Sequence, residues 1–427
     1  MSKEKKHALS KAKGLIPELR FPEFGKWVEN TLGDLVKIRS GYSPSKYNLK
    51  TTGEHPFVKV EDLNNCDKYQ VKSREYSNDN VNIIPKESVI FPKRGAAIEL
   101  NKVRVNQVDI LMDTNLMAIT PNNKIKVEFL YYIILKVGLH KIADTSTIPQ
   151  INNKHIEPYV INVPKPQEQQ KIASCLSSLD ELIAAHNDKL EALKDHKKGL
   201  MQNLFPQLSE LGLDRLKDDR IKSDEEILKS SHPKNPNSDN VPKYRFPEFE
   251  EDGDWVEKKL GEICSMQAGK FVSASEIKEK LVPSLFPCYG GNGLRGYTKS
   301  FTHSGKFSLI GRQGALCGNI TLADGQFHAT EHAVVTTPKK NTDTLWLYYE
   351  LELLNLNQYA TGQAQPGLSV GNLVRLKLNI PNPKEQQKIA SCLSSLDELI
   401  TAQAEKIEQL QLHKKGLMQG LFPKITD

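Results

Sequence analysis

The chain has 427 residues, 38% of them hydrophobic and 26% charged, with a formal net charge of +6. That length calls for two or more domains with their own cores, and the balance is that of a soluble globular protein. No apolar run approaches a membrane span, and six scattered cysteines without a C-x-x-C pair fit reduced thiols in a cytoplasm better than a disulfide framework.

Residues 1–16 form a Lys-rich tail (Lys3, Lys5, Lys6, Lys11, Lys13) with no apolar core behind it, so they do not read as a secretion signal. Residues 17–163 predict a first globular domain of mixed α+β (α/β) type. It begins with RFPEF at Arg20–Phe24 and with Trp27, followed by LGDLVKIRSG at 32–41. Ser88–Phe91 reads as a strand entering, through Pro92, a basic turn at Lys93-Arg94-Gly95. Asp109–Thr120 reads as a further strand and Val127–Val137 as an amphipathic helix. A turn at Pro149 and a strand ending at Val163 close the domain.

Pro164 and Pro166 mark the start of a long helix over 164–206, because proline is tolerated in the first helical turn and not in the interior. Residues 207–241 are charged and contain SHPKNPNSDN, the composition of a linker, within which Leu208–Leu216 and Glu225–Leu228 could form brief helical turns.

The same order then returns. Residues 242–380 predict a second globular domain, with RFPEF at Arg245–Phe249, Trp255 and LGEICSMQAG at 260–269. Lys306–Gly311 reads as a strand into the turn Arg312-Gln313-Gly314, Phe327–Thr337 as a strand, and Asp343–Tyr359 as a helix capped by Asp343 or Thr344. A turn at Pro366 and a strand ending at Ile380 lead through Pro381 and Pro383 into a second long helix over 381–423, with a tail at 424–427.

EQQKIASCLSSLDELI occurs at Glu168–Ile183 and again at Glu385–Ile400, and HKKGLMQ and LFP recur farther along each helix, all at an offset of 217 residues. A buried seam alone would repeat only inward residues. Lys171/Lys388, Ser177/Ser394, Asp180/Asp397 and Glu181/Glu398 are read as outward positions that also match, so one kind of partner is expected to dock twice. Each helix carries a heptad seam: Ile172, Leu176, Leu179, Ile183, His186, Leu190, Leu193, Lys197, Leu200 and Leu204 in the first, and the residues 217 positions later in the second. This is a coiled-coil pattern; the plainer reading packs each helix on its own globular neighbour. Lys197/Lys414 and Gly199/Gly416 fit the seam poorly, and the glycines suggest close approach by a partner backbone. His186 and Gln403 are candidates for a polar layer that fixes register.

Two like units in one chain can be related by a two-fold axis, which makes the helices antiparallel and matches the dyad of duplex DNA. Helices of about 55 Å, at 1.5 Å per residue, would set two readers roughly one to one and a half DNA turns apart. Because the globular domains differ, the target should be asymmetric and in two parts. The base-reading candidates are Arg94 and Arg312 in the basic turns, with Lys93, Gln313, Lys102, Arg104 and Lys299 beside them. The Gly-rich stretch Tyr289–Tyr297, with Arg295 and Tyr297, could approach phosphate closely, but it follows no nucleotide-loop pattern. Cys288, His303, Cys317, His328 and His332 have no zinc-ligand spacing, so no metal site is expected.

The P-x-P-x-EQQKIA helix start, the SxLD-like segment and KKGLMQxLFP, duplicated after two dissimilar globular regions, resemble the specificity subunit of type I restriction–modification systems. The resemblance implies two target recognition domains reading a bipartite double-stranded DNA sequence, an antiparallel helical spacer, and docking of two methyltransferase subunits on the helices. Restriction subunits would complete the enzyme. It also implies that this chain is not itself catalytic and binds no cofactor, with S-adenosylmethionine, ATP and Mg²⁺ expected on partner subunits. The chain shows no Walker loop, no Asn-Pro-Pro-aromatic motif and no H-E-x-x-H. The rival readings are a single-chain methyltransferase or nuclease, and a stand-alone DNA-binding regulator.

Overall fold

The computed structural model describes residues 17–145, 148–206, 240–314, 316–362 and 366–423. The basic tail, nearly all of the expected linker with its two brief helical turns, and the last four residues lie outside the described residues. The chain divides into two compact units, Met1–Asn187 with Glu405–Asp427, and Asp188–Ala404. Each unit therefore holds one globular domain, the head of the helix that follows it, and the tail of the other long helix.

In the first unit a five-stranded sheet runs Val36–Ser40, Leu116–Pro121, Val89–Pro92, Arg104–Asn106, Tyr69–Gln70. A smaller sheet runs Glu75–Ser77, His55–Val58, Leu111–Met112, and Val28–Thr31 pairs antiparallel with Val160–Val163 beside the helix start. The helix Val127–Val137 is apolar on most of its surface, and all but four of its residues are buried. It ends at Gly138, whose φ of 84° suits a residue without a Cβ.

In the second unit one four-stranded sheet runs Cys264–Ala268, Ala333–Pro338, Phe307–Gly311, Ile320–Ala323, and another runs Gly293–Thr298, Phe286–Gly290, Gln326–Ala329, His303–Ser304. Val256–Lys259 pairs with Lys377–Ile380 next to the second helix. Two expected strands are each broken in two. Asp109–Thr120 resolves into Leu111–Met112 and Leu116–Pro121, and Phe327–Thr337 into Gln326–Ala329 and Ala333–Pro338. In both cases the chain crosses from one sheet to another, and the Asp113 carboxylate, accepting the Asn115 N–H at 2.7 Å, holds the first crossing. The expected helix Asp343–Tyr359 is an α-helix at Thr344–Leu353 and a 3₁₀ turn at Leu356–Tyr359, separated by Asn355 at a left-handed φ of 43°. Asp343 is the cap, accepting the N–H groups of Leu345 and Trp346 at 2.9 Å.

The long helices span Pro166–Leu204 and Pro383–Gly420. Every seam residue named above is buried or half-buried. In the first unit Ile172 and Leu176 join the globular core, and Leu421 and Phe422 enter the same core from the tail of the other helix. In the second unit Ile389 and Leu393 do so with Met201, Leu204 and Phe205. The helix segments therefore run antiparallel within each unit. The coiled-coil and globular-neighbour readings both hold, because each helix head has a domain on one side and a helix tail on the other.

The LFP sequences do more than end helices. Phe422 lies 6.3 Å from Trp27 and 5.3 Å from Phe129, ring centroid to centroid. Phe205 stands 6.2 Å from Trp255 and 6.4 Å from Trp346 in the other unit. Phe129 and Trp346, like Phe205 and Phe422, are 217 residues apart, so the same aromatic plug closes both cores.

Candidate nucleic-acid and subunit interface

The repeated helix start is built for internal anchoring. Glu168 is 1% exposed and accepts the Trp27 indole N–H at 3.1 Å and the Arg20 guanidinium at 3.2 Å. Glu385 accepts the Trp255 indole at 3.2 Å and Arg245 at 2.7 Å. Gln169 accepts the Lys126 N–H at 2.7 Å and donates to the carbonyls of Lys124 and Pro164 at 2.9 Å. Gln386 repeats this with the Asp343 N–H and the carbonyls of Asn341 and Pro381. Identity in this part of the motif thus records one junction used twice.

Several residues expected on an outward face belong to that junction, which corrects the reading of them as outward. Asp180 accepts the Tyr132 hydroxyl at 2.6 Å and pairs with Lys414. Asp397 accepts the Tyr349 hydroxyl at 2.8 Å and pairs with Lys197 at 2.7 Å. This explains why Lys197 and Lys414 occupy seam positions: each neutralises a carboxylate of the opposing helix. Ser177 accepts from Lys68 at 2.8 Å and shares a hydrogen bond with Tyr132 at 3.1 Å. Ser394 is half-buried and donates to the Ser391 carbonyl within its own helix. Burial, followed by these carboxylate contacts, pushes the Tyr132 and Tyr349 phenols above the ordinary range.

Lys171 and Lys388 are exposed but tied to the RFPEF segments, pairing with Glu23 and, at 2.9 Å, with Glu248. Lys171 also lies over the rings of Phe21 and Phe24, and Lys388 over Phe246. Of the expected set, Glu181 and Glu398 are exposed and make no hydrogen bond or ion pair among the described residues. Beside them Leu182 and Leu399 are 44% and 57% exposed, and Ser178 and Ser395 are exposed too. Leu182 and Leu399 escaped the sequence reading. The available signal was a leucine standing off the heptad seam and identical in both copies. In the first unit a cavity of about 430 Å³ brings Ser177, Asp180 and Glu181 together with Lys68, Tyr69 and Lys414.

Gly199 and Gly416 have nothing within 4 Å of the position a Cβ would take, apart from their own helix backbone. Nothing in the described chain requires glycine there. His186 is half-buried and Gln403 is 7% exposed.

Among the DNA-reading candidates, Arg104 is corrected to a structural role. Its guanidinium donates to the carbonyls of Leu63 and Cys66 at 2.7 Å and of Val103 at 2.8 Å, which occupies the fork a base would need. Lys102 donates to Asn64 at 2.6 Å. Arg94 is exposed at the tip of its turn. Lys93 before it is half-buried, and burial, then the neighbouring Arg94 charge, hold its ammonium below the usual lysine range. In the second unit a cleft of about 510 Å³ brings together Arg295, Gln313, His332 and the backbone of Gly290, Gly291 and Gly293. Arg312 and Tyr297 are half-buried, and Lys299 is exposed. Among the described residues no group of three or more His, Cys, Asp or Glu side chains is placed to hold a metal, and no helix is long and apolar enough to cross a membrane.

The family model for the type I restriction modification DNA specificity domain matches residues 25–195 and again 252–412. The chain belongs to that family. It is a type I specificity subunit, the non-catalytic component of such systems. The specificity subunit of the EcoprrI type I restriction enzyme of Escherichia coli is 48% identical over 161 residues, 38% of this chain and 40% of that protein. The MjaVIII specificity subunit of Methanocaldococcus jannaschii is 24% identical over 434 residues, 95% of this chain and 93% of its own length. The crystal structure of the type I S subunit from M. genitalium has a TM-score of 0.63 at 17% identity, covering 96% of this chain and all of that one, so the fold is shared. The two matched regions of this specificity subunit each run from a globular domain well into its long helix, so the repeat is one of whole units.

Proposed function

We propose that this specificity subunit reads a two-part, asymmetric DNA sequence, one part by each globular domain, and carries two methyltransferase subunits on its helices. Restriction subunits join that assembly to cut DNA. S-adenosylmethionine, ATP and Mg²⁺ act on the partner subunits, and this chain supplies the address.

The observation that carries the reading is what remains of the helix repeat after its internal ties are removed. Ser178/Ser395, Glu181/Glu398 and Leu182/Leu399 are identical, surface-facing, and their side chains make no hydrogen bond or ion pair among the described residues. An exposed leucine flanked by a serine and a glutamate has the makings of a small interface centre with a polar rim. Its duplication supports two copies of one partner.

Co-expression with the methyltransferase subunit should yield a complex with two methyltransferases per specificity chain. Methylome sequencing of cells carrying that complex should show one motif made of two unlike parts around a fixed unread gap. Methylation or cleavage of DNA by the purified chain alone would overturn the proposal, as would a continuous or palindromic motif.

A further inference from the structure

The two basic turns are the same backbone device carrying different side chains. In the first unit the Lys93 N–H donates to the Asn115 carbonyl at 2.8 Å, the Ile151 N–H to the Lys93 carbonyl at 2.9 Å, and the Gly95 N–H to the Pro149 carbonyl at 2.9 Å. In the second, the Arg312 N–H donates to the His332 carbonyl at 2.8 Å, the Leu368 N–H to the Arg312 carbonyl at 2.9 Å, and the Gly314 N–H to the Pro366 carbonyl at 3.0 Å. Gly95 and Gly314 hold left-handed φ values of 77° and 91°. The ladder makes Lys93 the counterpart of Arg312, and Arg94 the counterpart of Gln313. Sequence alone had paired the two arginines, because the basic residue nearest the glycine is shifted by one place.

Burial follows the same correspondence. Lys93 and Arg312 are half-buried, whereas Arg94 and Gln313 are exposed at the tip. The tip backbones are clamped by antiparallel bridges, Arg94 to Gln150 and Gln313 to Gly367. Neither tip side chain makes a hydrogen bond among the described residues, although each presents several polar atoms. A polar side chain with free donors on a clamped backbone can bind without ordering its loop, so that only its own rotamers have to be fixed. Around Gln313 the cleft walls at Gly290, Gly291 and Gly293 have no side chains to hinder a planar ligand edge.

We infer that Arg94 and Gln313 are the equivalent base-reading residues of the two units, with Arg94 taking guanine in one half-site and Gln313 taking adenine in the other. The assignment rests on the function proposed above and adds the chemistry of two base pairs to it. The arginine fork donates to guanine O6 and N7, and the glutamine amide donates to adenine N7 while accepting from N6. Lys93 and Arg312, set back by one residue, are placed for the sugar–phosphate backbone, which carries no sequence information.

The test compares methylation motifs of complexes carrying Arg94→Ala, Arg94→Gln, Gln313→Ala and Gln313→Arg. Gln313→Ala should relax one A·T position in one half-site by about 5- to 160-fold and leave the other half-site intact, and Gln313→Arg should shift that position toward G·C. Arg94→Ala should relax one G·C position in the other half-site, and Arg94→Gln should shift it toward A·T. A second measurement leaves the protein unaltered: binding of the wild-type complex to duplexes with 7-deazaadenine or 7-deazaguanine at those positions should weaken, since the N7 acceptor is gone. Unchanged motifs, or equal weakening on all sequences with a changed salt dependence, would overturn the assignment. A wild-type complex without a two-part motif would instead sink the functional reading on which it rests.

Discussion

Arg245 and Glu385 form a two-point ion pair inside the second unit, Nε to Oε1 at 2.8 Å and the terminal nitrogen to Oε2 at 2.7 Å, with both side chains at least nine-tenths buried. The corresponding pair of the first unit, Arg20 and Glu168, is looser, at 3.2–3.3 Å, and its arginine is 21% exposed. Removing one partner of a buried pair strands the other charge, at about 3–5 kcal/mol. Glu385→Ala should therefore destabilise the second unit by that order, and Glu168→Ala should cost the first unit less. Denaturant unfolding followed through the tryptophans checks the ranking.

Glu350 lies within the apolar helix Thr344–Leu353, 217 residues beyond Ile133, and burial pushes its carboxyl up to about 8. A folded-state value above the unfolded value near 4.5 means that the native protein holds the extra proton. Stability is then full below pH 4.5 and falls as pH rises toward 8, by about 1.4 kcal/mol per pH unit at most. Glu350→Gln should flatten that slope. Thermal unfolding of both proteins between pH 5 and 8.5 checks it, and parallel slopes would count against the assignment.

Gly199 and Gly416 sit inside long helices with open space where a Cβ would go. Alanine at each should stabilise the free chain by about 1 kcal/mol. If a partner backbone approaches there, the same changes should weaken methyltransferase binding while the melting temperature rises. Calorimetry of the free chain and titration with the partner give the two signs separately.

Leu182 and Leu399 should matter to assembly and not to folding. The double substitution Leu182→Lys, Leu399→Lys should leave the melting temperature near wild type and abolish the two-to-one complex on size exclusion. Lys171→Ala should do the opposite, loosening the RFPEF segment held by Glu23, Phe21 and Phe24 with little change in assembly.

Arg104→Ala should act on stability alone. Losing a guanidinium that satisfies three carbonyls costs about 2 kcal/mol or more. The methylation motif of the folded complex should stay the same.

Local pattern made the helices, the repeat and the order of elements legible: heptad spacing and flanking prolines act over one or two turns, so the chain carries them openly. Facing direction was harder to read. Asp180 and Ser177 looked like surface residues because acids and serines usually are, and only Tyr132, Lys68 and Lys414, far away in sequence, turn them inward. Arg104 looked like a base reader until the carbonyls of Leu63 and Cys66 were seen to fill its fork. The correspondence of Arg94 with Gln313 follows if the two turns are aligned on Gly95 and Gly314, but matching basic residue to basic residue hid it, and the hydrogen bonds to loops some twenty to sixty residues away decide between the two alignments.

The residues alone thus determined two copies of one architecture and the long helices that follow each domain, because periodicity and exact duplication survive without coordinates. Which repeated side chains lock the junction, which stay exposed, and which residue stands at the tip of each basic turn were decided only in three dimensions. The physical reason is that hydrogen-bond satisfaction is a property of neighbours in space: a charge is structural or available according to what the fold brings within about 3 Å of it.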